Sequence, residues 1–271
     1  MNVHSVSAMA KLKTDPITSA DLATFAANDS DFAFELRVLH QLRGLGFQCE
    51  HSGTYEDPVT GKFRQFDIRA NKNLGKVHLA LAVECKNIRP YHPLLVSAVP
   101  RTQAEAFHDR IDFTSVPNGG PSQCIRLVGR ESAYPVGESV GKKTDQVGRE
   151  NMPDAGLVSD DSATFEKLNQ AVNSCRDLVR YCGSTSQTPY LRVVAPVLVV
   201  PDGVLWQVDY TANGTMTKKP RVIPATTLFL GLSWDFDRGD RLQIPYGMSH
   251  LEIWTPAGLD GRSAMLSNLL L

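Results

Sequence analysis

The chain has 271 residues, 42% of them hydrophobic and 21% charged, with a formal net charge of −1. That is the make-up of a globular protein, and the length suits one elaborated domain or two small ones. The near-neutral balance argues against non-specific coating of nucleic acid, although a metal site needs carboxylates of its own and these offset basic residues in the count. No apolar run approaches the roughly 18 to 20 residues that span a bilayer. The N-terminus carries Lys11 and Lys13 with no apolar core behind them, so it lacks a secretory pattern and the expected compartment is the cytosol. Cys49, Cys85, Cys124, Cys175 and Cys182 are odd in number and include no CxxC pair, which speaks against a disulfide framework or a zinc site.

In chain order, Ile17 to Ala27 reads as a short helix. Phe32 to Arg43 reads as a stronger one, with Asp29 to Asp31 offering N-cap oxygens and Gly44 and Gly46 stopping it. Phe47 to Ser52 is a first strand, Asp57 to Gly61 a turn, Phe63 to Ala70 a second strand and Asn71 to Gly75 a polar turn. Val77 to Lys86 is a third strand, apolar until its end and therefore central. A helix is expected over Thr102 to Ile111, and the stretch 115–161, rich in Gly, Pro, Ser and charge, as a long loop insertion with little regular structure. Thr164 to Cys182 is the clearest helix, its apolar stripe running Phe165, Leu168, Ala171, Val172, Cys175, Leu178, Val179, Cys182. Tyr190 to Val200 is a strand, Asp202-Gly203 a hairpin turn into Val204 to Tyr210, and Asn213-Gly214 a further hairpin turn. Strands around Thr226 to Ser233 and His250 to Thr255 and a closing helix complete the tail.

Three polar features interrupt this apolar framework. Glu84-Cys85-Lys86 ends the third strand. Alternate side chains of a strand share a face, so Glu84 and Lys86 are expected to point the same way, about 7 Å apart, behind the small Ala80 and Ala82 that leave room for a helix. Asp67, between Phe66 and Ile68, takes the opposite face from its apolar neighbours, and antiparallel pairing with the third strand would bring it beside Glu84. Glu35 falls on the stripe of the helix that also holds Phe32, Leu36, Leu39 and Leu42, where a carboxylate is costly unless a metal ion or Lys86 meets it.

Phosphodiester hydrolysis needs an activated water and stabilisation of negative charge. Two carboxylates and a backbone carbonyl are hard oxygen ligands for Mg²⁺; the ion acidifies water and clamps phosphate oxygens, and a neighbouring lysine positions the water. Asp67, Glu84, the Cys85 carbonyl and Lys86 have those types. Glu35, Asp67 and Glu84-Cys85-Lys86, in the setting FDIRA … AVECKN, resemble the PD-(D/E)xK nuclease signature and are similar to the Mrr-like restriction endonucleases. The resemblance implies an α/β fold with a restriction-endonuclease-like αβββαβ core, a central mixed sheet flanked by helices; the β-rich C-terminal extension after Pro201 lies outside it. It implies Asp67 and Glu84 as metal ligands, Lys86 as catalytic lysine and Glu35 as accessory acid, with Mg²⁺ as cofactor and Mn²⁺ able to replace it. Phe66 stands where the signature has proline.

The expected organisation is a nuclease-like domain over 1–200, interrupted at 115–161, and a β-rich extension over 201–271 packed on the same domain. Gln170 and Lys167 on the strong helix are candidate substrate contacts, weighed against a solvated helix face. His108, Lys142, Lys143 and Arg149 have ordinary surface readings beside catalytic or phosphate-gripping ones. Trp206, Trp234 and Trp254 are expected to pack the β-rich part, and Lys218-Lys219 to guard an edge strand. The function expected is a metal-dependent nuclease acting on DNA in restriction, defence or repair; the alternative is an inactive module of the same fold that binds nucleic acid or a partner protein. A homodimer with two sites, and a partner supplying recognition in trans, fit the first reading.

Overall fold

A computed structural model describes residues 15–28, 30–74, 77–113, 121–150, 156–180, 191–236 and 244–268. Helices α1 (Ser19–Asn28) and α2 (Phe32–Gly44) lead into β1 (Gln48–His51), a small ribbon of β2 (Thr54–Glu56) and β3 (Phe63–Gln65), and then β4 (Ile68–Leu74) and β5 (Val77–Cys85). Next come β6 (Leu94–Pro100), the paired β7 (Phe107–Phe113) and β8 (Pro121–Val128), β9 (Ser139–Arg149) and β10 (Leu157–Ser159). Helix α3 (Ser162–Arg180) precedes β11 (Leu191–Val199), β12 (Leu205–Tyr210), β13 (Met216–Val222), β14 (Ala225–Phe236) and β15 (Ile244–Trp254), and α4 (Leu259–Asn268) closes the described chain.

The class is α/β: one large mixed sheet with few helices. Its order is β1-β4-β5-β11-β15-β14-β9-β6-β12-β13, with β10 added on β9. The first three strands form an antiparallel meander, and β11 joins β5 in parallel after α3 has crossed over. Helices pack on both faces. Phe34, Val38, Leu39 and Leu42 of α2 and Leu259 and Leu266 of α4 meet Leu79, Leu81, Val83 and Cys85 on one side of β5. Leu168, Ala171, Val172 and Cys175 of α3 lie on the other side, over Ala82. Each buried leucine contributes about 1.5–3 kcal/mol, and the small alanine face of β5 admits α3 as its residues require. No helix among the described residues is long and apolar enough to cross a membrane.

Several elements differ from expectation. Thr102 to Ile111 is not a helix: short turns precede strand β7, where His108 accepts a hydrogen bond at Nδ1 from the Ala133 N–H (3.0 Å). The 115–161 stretch is not mostly loop, since it holds β8, β9 and β10. In β9 the inward positions include Gly141, Thr144, Gln146 and Gly148, small or polar residues that hide a buried strand from a hydropathy reading. Val96 and His92 lie so close to Gly141 and Gly148 that a side chain there would collide with them. Asp202-Gly203 does turn, with Gly203 at φ +80°, but it makes no hairpin, because β12 pairs with β6 and β13. The expected second strand breaks at Phe66-Asp67 into β3 and β4, and β4 runs through Asn71 to Leu74, where a turn was expected. On α2, Phe32 and Leu36 are exposed, and on α3 so is Phe165; Cys182 lies outside the described residues. The C-terminal strands β14 and β15 belong to the same sheet, next to β11. Lys218 and Lys219 are exposed on β13, which ends the sheet's strand order, and Trp254 is buried against α2 and α4.

Candidate active site

Antiparallel pairing sets Ile68 of β4 opposite Val83 of β5, so Asp67, just before β4, arrives beside Glu84. The Asp67 Oδ2 accepts the Cys85 N–H at 2.8 Å, and the Asp67 N–H donates to Glu84 Oε1 at 3.5 Å. The backbone group of Cys85 that meets the carboxylates is thus its N–H. Both acids are buried, Glu84 completely. Burial and the Asp67 charge push the Glu84 carboxyl up to about 8, with Lys167 pulling against them.

The cation between the two carboxylates is Lys167, from the first turns of α3. Its Nζ lies 3.0 and 2.7 Å from the two oxygens of Asp67 and 3.1 Å from Glu84 Oε2. Burial alone would depress this lysine, but the two carboxylates win and raise it above the usual range.

Lys86 goes elsewhere. Strand β5 ends at Cys85, and the Lys86 side chain does not join Glu84. Its N–H donates to Val199 O at 2.9 Å, and its Nζ ends 3.2 Å from Asp31 Oδ2. The other Asp31 oxygen accepts the Asn87 N–H at 2.8 Å. Asp31 therefore makes no side-chain cap for α2 and ties that helix's start to the segment after β5.

Glu35 sits at the rim of the same site. Its partner is His51, whose Nε2 lies 3.3 Å from Glu35 Oε2, and not Lys86, whose Nζ goes to Asp31. Burial first, and Asp67 second, raise the Glu35 carboxyl. Ser52, whose Oγ lies 3.3 Å from the same His51 nitrogen, holds φ at +55°, an uncommon backbone conformation for a residue other than glycine. Both bonds fall on one ring nitrogen, so the trio cannot relay a proton as a serine–histidine–acid triad does. Gln170 lies one turn beyond Lys167 on α3, lining a groove of about 280 Å³ with Arg64, Phe165 and Glu166.

Asp67 and Glu84 are the hard oxygen donors that converge on one point, and in this structure the Lys167 ammonium fills it. Among the described residues no group of three or more His, Cys, Asp or Glu side chains is arranged to hold a metal ion. The donor set suits a divalent cation bound by two carboxylates with water completing the shell, once Lys167 moves aside.

The central role of Lys167 was only weakly legible in sequence. Thr164 and Leu168, both buried, flank it on the inward side of α3, a placement that the fold and not the spacing reveals. His51, Asp31 and the pair Arg69–Asp177, which joins β4 to α3 at 2.6 Å, carried no motif. No protein-family model matches the chain, and neither a curated protein nor a solved structure matches it.

Proposed function

We propose that the protein is a Mg²⁺-dependent nuclease that hydrolyses phosphodiester bonds in DNA, in restriction, defence or repair. The observation that carries this reading is the convergence of Asp67, Glu84 and Lys167 on one point where β4 begins and β5 ends, beneath α3. The chain order α2, β1, β4, β5, α3, β11, with a meander followed by a parallel fourth strand, supports a restriction-endonuclease-like core.

Asp67 and Glu84 would hold the cation. The chemistry that Mg²⁺ supplies when bound is an acidified water and neutralised phosphate charge. The Cys85 N–H fixes the Asp67 carboxylate, so its orientation is set before any ligand arrives. Glu84 must shed its proton to act as a ligand, which favours activity on the alkaline side of neutrality. Lys167, on a flexible stem, moves from the carboxylates onto charge developing at the phosphate, the part that the resemblance assigned to Lys86. Glu35, held by His51, stands ready to accept a proton from water at the rim.

The alternative is an inactive module of this fold that binds nucleic acid or a partner protein. The Lys167 ammonium favours it, because it already balances the two acids without a metal. Cleavage of plasmid and single-stranded DNA with Mg²⁺ or Mn²⁺ decides between the readings. Metal-dependent cutting that Asp67→Ala abolishes in a folded protein is the expected result. No cutting of any substrate, with no Mn²⁺ binding by calorimetry, would leave the inactive module.

A further inference from the structure

A second polar site lies on other elements of the sheet. A cavity of about 320 Å³ is lined by Arg101, Arg221 and Arg262 together with Ser139, Gln207 and Thr226. That volume is at the small end of ligand pockets.

Arg101 is only 2% exposed and is held on three sides. Its Nε donates to His250 Nε2 (3.1 Å), one terminal nitrogen to Pro135 O (2.9 Å) and the other to Thr227 Oγ1 (3.0 Å). None of these partners carries negative charge. His250 stacks on Tyr134 at 3.8 Å and is neutral, because burial and the Arg101 charge push it down to about 3.

The carboxylates around the cavity do not balance its guanidiniums equally. Arg221 is paired with Asp209. Arg262 is 2.6 Å from Glu252, a fully buried acid that also accepts from Trp254 Nε1 and Tyr134 Oη. The ion-pair partner of Arg101 is Glu138, 3.6 Å away and 63% exposed. Buried charges are stable when paired, and here the ion-pair partner of a buried arginine is a solvated glutamate at the cavity's rim, with the buried Glu252, itself paired to Arg262, acting on it more weakly.

We propose that this cavity binds a phosphate group, which displaces Glu138 from Arg101. Arg101, just after β6, lines the cavity together with Arg221 of β13 and Arg262 of α4, which keep Asp209 and Glu252 as partners; a phosphomonoester brings three terminal oxygens and more charge to these guanidiniums than the Glu138 carboxylate does. The Ser139 and Thr226 hydroxyls already donate to Asp209 Oδ1 and Gln207 Oε1, each at 2.8 Å, so the guanidiniums carry the recognition. The volume beyond the phosphate admits a small ester, so the group belongs either to a free nucleotide-sized ligand or to the end of a nucleic-acid strand. This site stands independently of the nuclease reading, since it shares no residue with the Asp67–Glu84 pair.

The test is calorimetry on the full chain in EDTA, which keeps metal out of the other site. The probes are inorganic phosphate, adenosine 5′-monophosphate, and one oligonucleotide with and without a 5′-phosphate. Binding is expected to weaken about tenfold or more in Arg101→Lys, which keeps the charge and loses the fork. It is expected to tighten about two- to fivefold in Glu138→Ala, where the competing carboxylate is gone. Binding of inorganic phosphate and the mononucleotide supports a small-molecule source. Binding of the 5′-phosphorylated strand alone supports a nucleic-acid end. If Arg101→Lys fails to fold, Glu138→Ala on the exposed rim decides by itself. No binding of any probe to wild type and Glu138→Ala, or binding that Glu138→Ala leaves unchanged, overturns the proposal.

Discussion

Lys167 and Asp67 stand a hundred residues apart in the chain, and the Nζ of the first lies 2.7 Å from Oδ2 of the second. With Glu84 Oε2 at 3.1 Å, the ammonium lies against both carboxyl groups in a setting where its own side chain is only 18% exposed. Water screens little there, and two adjacent carboxylates without a cation would repel each other. The first prediction concerns that competition. Lys167→Met should bind Mn²⁺ about tenfold more tightly, because the ammonium no longer contests the carboxylates. Plasmid cleavage should fall about 100-fold or more, the usual loss when a group acting on developing charge is removed. Calorimetry and a cleavage time course measure both. Tighter binding with unchanged cleavage would leave Lys167 as a mere placeholder.

Lys86 offers the contrast. Its pairing with Asp31 is partly solvated, with side chains 25% and 23% exposed, and such a pair contributes about 1 kcal/mol or less. Lys86→Ala should therefore lower the urea midpoint slightly and reduce cleavage far less than Lys167→Met does. A loss as deep as that of Lys167→Met would return the catalytic lysine to the end of β5.

Glu84 predicts a pH dependence of stability. Its carboxyl is raised from an ordinary 4.5 to about 8, by burial first and by Asp67 second. The folded state thus holds a proton that the unfolded chain releases. The stabilisation is complete below about pH 4.5 and is lost as pH rises toward 8. Urea unfolding between pH 5 and 8 should show wild type losing stability with a steeper slope than Glu84→Gln, which cannot ionise. Groups common to both proteins cancel in the comparison, so equal slopes would mean that Glu84 is ionised throughout.

Much of the core was legible because its elements obey strong periodicities. The alternation in β5, with Leu79, Leu81, Val83 and Cys85 on one face and Ala80, Ala82 and Glu84 on the other, announces a two-sided central strand. The same alternation placed Asp67 beside Glu84. It failed at Lys86, whose side chain is taken by Asp31 at the start of α2, a tertiary contact that nothing local marks. It failed again over 115–161, where the buried residues of β9 are, apart from Val140, two glycines, Thr144 and Gln146. Gln146 is kept satisfied by the Thr164 hydroxyl at 2.9 Å, a partner on another element. Hydropathy cannot register a buried face made of small and hydrogen-bonded residues. The contact of α3 with the two acids is tertiary in the same sense. It depends on how closely the alanine face of β5 admits the helix, and no spacing within α3 states that.

Arg69 supplies the final prediction, about what holds α3 in place. From β4 it reaches Asp177 on α3 at 2.6 Å and donates to the Ser174 hydroxyl at 3.4 Å. Its guanidinium lies 4.4 Å from the centre of the Phe66 ring and 5.4 Å from that of Tyr55. Arg69 and Asp177 are only 11% and 6% exposed, so removing the cation strands a buried carboxylate. Arg69→Met should cost about 3–5 kcal/mol in urea unfolding. Arg69→Lys, which keeps the charge but loses the planar fork and the ring stacking, should cost less. Adding Asp177→Asn to Arg69→Met should recover part of the loss, because the stranded charge is then gone. Asp67 immediately precedes β4 and Lys167 lies on α3, so Arg69→Met should also reduce cleavage under conditions where the protein remains folded. A stability loss below about 1 kcal/mol, the range of a solvated pair, would mean that the apolar contacts of α3 alone position Lys167.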